Sequence, residues 1–84
     1  MRLARSSAFK RRAKKLTRDQ AAMLAGALQR FSRNPREPLL HAHRLKGDLK
    51  DYWAFSVDRD LRVLFRWQGD EVFLVSLGSH DEVY

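Results

Sequence analysis

The hydrophobic period of this chain changes once, and that change limits the folds that it can adopt. Up to about residue 32 the apolar residues recur every three or four positions, and after Gly47 they alternate with polar residues. The first spacing is typical of amphipathic helices, and the second is typical of strands that are buried on one face. The sequence therefore predicts an α+β fold, with helices first and a sheet afterwards.

Two helices are predicted in the first half, near residues 8–16 and 18–32. Ser7 is the expected N-cap of the first helix and Thr17 that of the second, because a side-chain hydroxyl can accept a hydrogen bond from the exposed first turn. Pro35 is expected to end the second helix, since a proline biases the residue before it out of the helical region. Both helices should pack on one face of the sheet.

Three antiparallel strands are predicted near residues 52–57, 61–67 and 71–77. The junctions between them are short and contain Asp and Gly, as tight turns do. Arg2–Arg5 is a weaker candidate for a further strand before the first helix, because it holds only two apolar residues. The expected fold has a curved, mainly antiparallel sheet of three to four strands, and the element order along the chain is βααβββ.

The charge of the chain is unevenly distributed. Residues 1–50 hold 14 of the 17 Lys and Arg and 3 of the 10 Asp and Glu, so the first half is strongly basic and residues 51–84 are acidic. A basic surface on a folded domain is the electrostatic footprint of a protein that binds phosphate backbones. A solvated basic surface with no specific ligand is the alternative at this point.

The 84 residues include no cysteine, which excludes a disulfide framework and a thiolate metal site. No apolar run approaches the roughly 18 residues that span a membrane, and basic residues between positions 10 and 15 interrupt any signal-peptide core. We therefore expect one cytoplasmic domain over residues 1–84 with no membrane association.

The histidines and two arginines are candidates for chemistry. His41, His43 and His80 carry imidazoles, which exchange protons near neutral pH, although each could also be an ordinary surface residue. The His41-x-His43 pair lacks a third ligand at a suitable spacing, so no metal or other cofactor is expected. Arg62 and Arg66 should project from one strand away from its apolar row, where they can hold a phosphate or simply face solvent.

Cleavage of RNA through its 2′-OH requires a base, an acid and a fixed cation at the phosphorus, and a metal is not obligatory. Histidine, arginine, lysine and tyrosine can supply these groups. Four sequence blocks carry a resemblance to enzymes of this kind: residues 43–47, 52–55, 60–65 and 77–84. In order and separation these blocks resemble the RelE/ParE toxin superfamily and, within it, the YafQ-like branch of RelE-type mRNA interferases.

The resemblance implies a toxin of a bacterial type II toxin–antitoxin system that enters the ribosomal A site and cuts the mRNA there. Its partners would then be the ribosome, with its rRNA and mRNA, and a cognate antitoxin. By position, the resemblance implies a catalytic site made of His43, Asp60, Arg62, His80 and Tyr84. Residues expected to bind RNA are Lys46, Arg66 and the basic residues of the first helix, namely Lys10, Arg11, Arg12, Lys14 and Lys15.

Within that set, His80 is the expected general acid, or the base in the reverse assignment, and His43 or Asp60 is its partner. Arg62 would stabilise the phosphorane, and Tyr84 would stack on or orient a base. The chain departs from the YafQ pattern at Ser56, where that branch has a histidine, and at Leu61, where it has a tryptophan. A ParE-like inhibitor of DNA gyrase and a non-catalytic RNA-binding module are the alternative interpretations.

Overall fold

The computed structural model describes residues 1–83 and shows a mixed sheet with two helices on one face. Two short 3-10 turns, Pro38–Leu40 and Gly47–Leu49, flank the second strand. The main elements in chain order are β1 Arg2–Arg5, α1 Ser7–Lys14, α2 Arg18–Arg33, β2 His43–Arg44, β3 Trp53–Ser56, β4 Arg62–Gln68, β5 Glu71–Gly78 and α3 His80–Val83.

The sheet has five strands in the order β1-β5-β4-β3-β2. Each strand from β2 to β5 pairs antiparallel with the strand that follows it in the chain. β1 lies parallel to β5, at the edge of the sheet opposite β2. The predicted α+β fold is confirmed, and so is the weak strand at Arg2–Arg5. The expectation of three to four strands was one too low, because the two-residue strand His43–Arg44 is too short to show a period.

The helix caps follow simple hydrogen-bond chemistry, with one correction. The N-cap of α1 is Ser6 and not Ser7: Ser6 is extended, and its hydroxyl accepts from the Phe9 amide at 2.9 Å. Thr17 caps α2 as predicted, and Gln20 completes a capping box by accepting from the Thr17 amide. No helix in the described part of the chain is both long and apolar enough to cross a membrane.

An aromatic cluster joins α2 to the middle of the sheet. Phe31 stacks on Phe55 with ring centroids 4.8 Å apart, and it meets Phe65 edge to face at 4.9 Å. All three side chains are buried. Trp67, further along β4, lies beside Phe31 with ring centroids 6.2 Å apart but remains 41% exposed.

The opposite face of the sheet is not simply polar. Ala54 pairs with Leu64, and both are buried although they belong to no part of the main core. α3 packs against β4 and β5, and its Val83 is also buried. Leu64 lies on the same face of β4 as Arg62, as a two-residue period requires, and it is buried although it lies outside the main core.

Candidate active site

The centre of the candidate site is a row of three residues across neighbouring strands. Ser56 of β3 pairs with Arg62 of β4, and Arg62 pairs with Gly78 of β5. The row lies on the face opposite α1 and α2, as predicted for Arg62. Arg62 is therefore flanked by a hydroxyl on one side and by a glycine backbone on the other.

The guanidinium of Arg62 is held in place by one hydrogen bond, and its other N–H donors have no partner among residues 1–83. Its Nη1 donates to the Ser56 hydroxyl at 2.7 Å. Its Nε is buried and has no acceptor among residues 1–83. Since a guanidinium has five N–H donors and cannot lose its charge at physiological pH, this side chain presents a fixed cation with donors to spare.

An open cleft of about 490 Å³ lies beside Arg62. Its walls come from the 3-10 turn before β2 and from the turn between β3 and β4. The lining residues are Leu39, His41, Ser56, Val57, Asp58, Arg59 and Arg62. The two arginines of the lining, Arg59 in the turn and Arg62 in β4, outnumber its one carboxylate, Asp58, so the cleft has a net positive charge that suits an anionic group.

His41 lines the cleft; the sequence marks it as a candidate histidine, but the family resemblance assigns it no role. Its backbone is left-handed, with φ 50° and ψ 39°, a conformation that residues other than glycine, asparagine and aspartate rarely adopt. The left-handed turn follows Pro38–Leu40 and brings His41 to the cleft. The only signal in the sequence was the His-x-His spacing, which does not say which imidazole faces which side.

His43 lies on the same sheet face as Arg62 but does not line the cleft. It pairs with Ala54, which pairs with Leu64 two residues from Arg62, so β2 stands two strand spacings from β4, about 10 Å. The imidazole Nδ1 lies 2.9 Å from the carbonyl oxygen of His41. A carbonyl only accepts, so Nδ1 carries the proton in this bond, and Nε2 keeps its lone pair while the ring is neutral.

The turn between β3 and β4 uses its two aspartates differently. The Asp58 carboxylate accepts from the amides of Asp60 and Leu61, at 2.9 and 2.7 Å, and so closes the turn. Asp60 itself is exposed and donates only its backbone amide to that arrangement. The structure thus places the predicted Asp60 at the turn, two residues before Arg62, with its side chain exposed to solvent.

His80 begins α3, two residues after the glycine that pairs with Arg62. The imidazole is exposed, and its Nδ1 lies 3.5 Å from Asp81 Oδ1. This position brings His80 to the end of the sheet where Arg62 begins β4. Tyr84, the other predicted residue of this segment, lies outside the described residues.

A capping box organises the start of α3. Glu82 Oε1 accepts from the Ser79 amide at 2.8 Å, and the Ser79 hydroxyl accepts from the Glu82 amide at 3.3 Å. The hydrogen bonds with the Ser79 backbone and hydroxyl lower the pKa of Glu82 from its usual value, and the Arg12 guanidinium 3.2 Å away lowers it further, while burial acts in the opposite direction. The carboxylate therefore stays ionised around neutral pH.

The predicted RNA-binding cations divide into exposed and engaged side chains. Lys10, Arg11, Lys14, Lys15 and Lys46 are exposed. Arg12 is half-buried in its ion pair with Glu82, and the guanidinium of Arg66 lies over the Phe73 ring, 5.5 Å from its centroid. Among residues 1–83, no three His, Asp or Glu side chains converge as metal ligands.

Solved structures share this fold. The YoeB/ParE toxin from Agrobacterium tumefaciens superposes with a TM-score of 0.81 at 18% identity, covering 95% of this chain and 99% of that chain. YafQ from E. coli strain BL21(DE3) gives 0.79 at 17% identity, covering 100% and 99%. A chain of the E. coli DinJ–YafQ complex gives 0.70 at 16% identity with the same coverage.

Sequence comparison identifies the family. A search of curated proteins finds no match. The family model described as the bacterial toxin of type II toxin–antitoxin systems, YafQ, matches residues 1–84, which is the full length of the sequence. The chain therefore belongs to the YafQ family of type II toxin–antitoxin toxins.

Proposed function

We propose that this toxin is an endoribonuclease that cuts mRNA in the ribosomal A site. The observation that supports this most strongly is that Arg62 lines an open cleft and, among residues 1–83, uses only its Nη1, which donates to Ser56. His80 follows two residues after the strand partner of Arg62, and His43 stands on the same sheet face. A fixed cation between two imidazoles is the set of groups that RNA cleavage through the 2′-OH requires.

In the proposed reaction, the ribose 2′-oxygen attacks the adjacent phosphorus as a base removes its proton. The bond between the 2′-oxygen and phosphorus forms, the bond to the 5′-oxygen breaks, and an acid protonates the leaving oxygen. The products are a 2′,3′-cyclic phosphate and a 5′-hydroxyl, and the step itself does not require a metal. Arg62 would donate to the non-bridging oxygens, on which negative charge increases in the transition state.

His43 and His80 are the proposed pair of proton-transfer groups. The hydrogen bond from Nδ1 of His43 to the His41 carbonyl leaves Nε2 of a neutral ring able to accept a proton, which suits a general base. His80 would then protonate the 5′-oxygen, and Tyr84 would stack on or orient a nucleobase. Asp60 is the alternative base, and its exposed position near the start of β4 is compatible with that role.

The exposed cations support a ribosome-bound site. Lys10, Arg11, Lys14 and Lys15 project from one short helix and its end, and Lys46 precedes the turn Gly47–Leu49. Contacts of this kind bind phosphates without reading sequence, which fits rRNA. We propose that Arg66 adds a further phosphate contact beside Phe73 and that Arg12 contributes through its remaining donors.

A cognate antitoxin is the second proposed partner. The E. coli YafQ relative has been solved in a complex with DinJ. An antitoxin of this chain would cover Arg62, Lys46 and neighbouring cations, which blocks access of RNA to the cleft. With these two partners, the protein would act in the cytoplasm.

The decisive experiment maps 5′ ends on a defined mRNA incubated with the purified toxin, with and without translating ribosomes. We expect new ends within codons at the A site only when ribosomes are present, and far fewer of them with Arg62→Gln over the same time. Arg18→Gln, an exposed arginine at the start of α2, is the matched control and should cut normally. Absence of cleavage by folded wild-type protein, together with inhibition of DNA gyrase, would instead favour the ParE-like alternative.

A further inference from the structure

An ion pair connects the two helices that lie farthest apart in the sequence. Arg12 Nη1 of α1 lies 3.2 Å from Oε2 of Glu82 in α3. The other oxygen of the same carboxylate, Oε1, accepts from the Ser79 amide. Glu82 therefore has two distinct functions: one oxygen caps α3, and the other connects α3 to α1.

α3 depends on such contacts for its order. It has four residues, far fewer than a helix needs to be stable alone. Besides the capping box, it has one buried apolar side chain, Val83. Among the described residues, the attachments that fix its direction include the reciprocal cap with Ser79, the packing of Val83 and the bond to Arg12.

Gly78 makes the close approach of these groups possible. A Cβ atom at this position would lie 2.8 Å from Arg12 Nη1 and 3.0 Å from both Cβ and Oε1 of Glu82. Any larger residue would thus push against Arg12 Nη1, which forms the ion pair, and against Glu82 Oε1, which accepts from the Ser79 amide. Because Gly78 is also the strand partner of Arg62, the ion pair lies directly beside the candidate active site.

We infer that Arg12 and Glu82 form a latch that positions α3, and with it the His80 imidazole, relative to Arg62. Both are positioning residues and touch no reacting atom. The inference rests on the proposed function for its effect on cleavage, although the order of α3 can be measured without any activity. Because the two side chains are 40% and 55% exposed, the pair should contribute little to global stability.

Substitutions of Glu82 separate its two functions. Glu82→Gln keeps an oxygen that can accept from the Ser79 amide and removes the charge that attracts Arg12, whereas Glu82→Ala removes both. Arg12→Gln breaks the pair from the other side, and Arg12→Lys restores the charge. The readout is the backbone {¹H}–¹⁵N heteronuclear NOE of the amides at positions 82 and 83 in the free protein, together with single-turnover cleavage and ribosome affinity of the Glu82 variants.

We expect the NOE at these amides to fall in Arg12→Gln and Glu82→Gln and to fall further in Glu82→Ala, with Arg12→Lys near wild type. Cleavage should slow about threefold to tenfold in Glu82→Gln and more in Glu82→Ala, while ribosome affinity and melting temperature stay close to wild type. Asp70→Asn is the matched control, since it removes an exposed carboxylate from the turn between β4 and β5. It should change none of these quantities.

Unchanged NOE values in Arg12→Gln and Glu82→Gln would overturn the latch, even if Glu82→Ala lowered them, because the alanine variant also loses the cap. A reduced NOE with a wild-type cleavage rate would overturn its role in placing His80. If folded wild-type protein does not cut mRNA at all, the proposed function fails by itself, and the NOE series still supports or overturns the ordering of α3 by the ion pair.

Discussion

Arg62 is the residue whose replacement tests the proposed chemistry most directly. Its Nη1 is engaged by Ser56 at 2.7 Å, and its buried Nε has no acceptor among the described residues. The Nε is buried, so a phosphate cannot reach it directly, whereas Nη2 makes no hydrogen bond among residues 1–83 and is not one of the buried atoms. The Nη2 group is therefore the donor available to a phosphate oxygen. Removing one preorganised donor to a developing oxyanion costs about 10²–10³ in rate, or roughly 3–4 kcal/mol of transition-state stabilisation.

Arg62→Gln, which also removes the charge, should slow single-turnover cleavage of ribosome-bound mRNA by about 10²–10³. Arg62→Lys keeps the charge but replaces the planar fork by a single nitrogen, which cannot easily serve Ser56 and a phosphate together. We therefore expect Arg62→Lys to lose less, on the order of 10-fold to 10². The ordering of the two variants distinguishes a loss of charge from a loss of geometry.

The assay uses toxin in excess over stalled ribosomes, so that the measured rate reports the chemical step. Ribosome affinity and circular dichroism of each variant are measured in parallel. An Arg62→Gln protein that is folded, binds ribosomes normally and cuts within about threefold of wild type would refute the role of Arg62, since that loss falls well short of a tenfold step.

Three further predictions concern other parts of the molecule. His80→Gln should slow the cut by about 10²–10⁴ with ribosome binding nearly intact, and wild-type rates would remove His80 from the mechanism. Replacing Lys10, Arg11 and Lys14 together by Ala should flatten the salt dependence of ribosome binding by about one unit of slope per lost phosphate contact, measured by titration at several salt concentrations. The pKa of Glu82 is lowered in the folded protein, so the Glu82 carboxylate stabilises α3 fully at pH values above its usual pKa of 4.5. This stabilisation is lost as the pH falls through the lower pKa of the folded state. The heteronuclear NOE of the α3 amides, followed on acidification, measures the loss.

Local chemistry explains what the sequence could predict. The cap at Thr17 and the end of α2 before Pro35 depend on residues within one helical turn, and both were predicted correctly. The faces of Arg62 and Arg66 follow from the two-residue period of a strand. The N-cap of α1 was misplaced by one residue because Ser6 and Ser7 are both capping residues and adjacent positions differ little in local preference.

The remaining features depend on contacts between distant segments. β2 is two residues long and exists because β3 offers an edge for pairing. Arg12 and Glu82 stand 70 positions apart, so no local pattern connects them. The Ser79-x-x-Glu82 spacing is a capping-box signature and was a usable signal for α3, but a four-residue helix has no hydrophobic period to support it.

In the candidate site, the tautomer of His43 depends on the backbone of its neighbour His41. The left-handed backbone of His41 follows the turn Pro38–Leu40, and strain of this kind costs about 1–3 kcal/mol in general, which the surrounding fold must offset. Its carbonyl accepts from Nδ1 of His43, and that bond selects the neutral tautomer in which Nε2 is free to act as a base. In the proposed mechanism, the carbonyl of one histidine therefore sets the tautomer in which the other acts as a base, whereas the sequence shows only two histidines separated by one alanine.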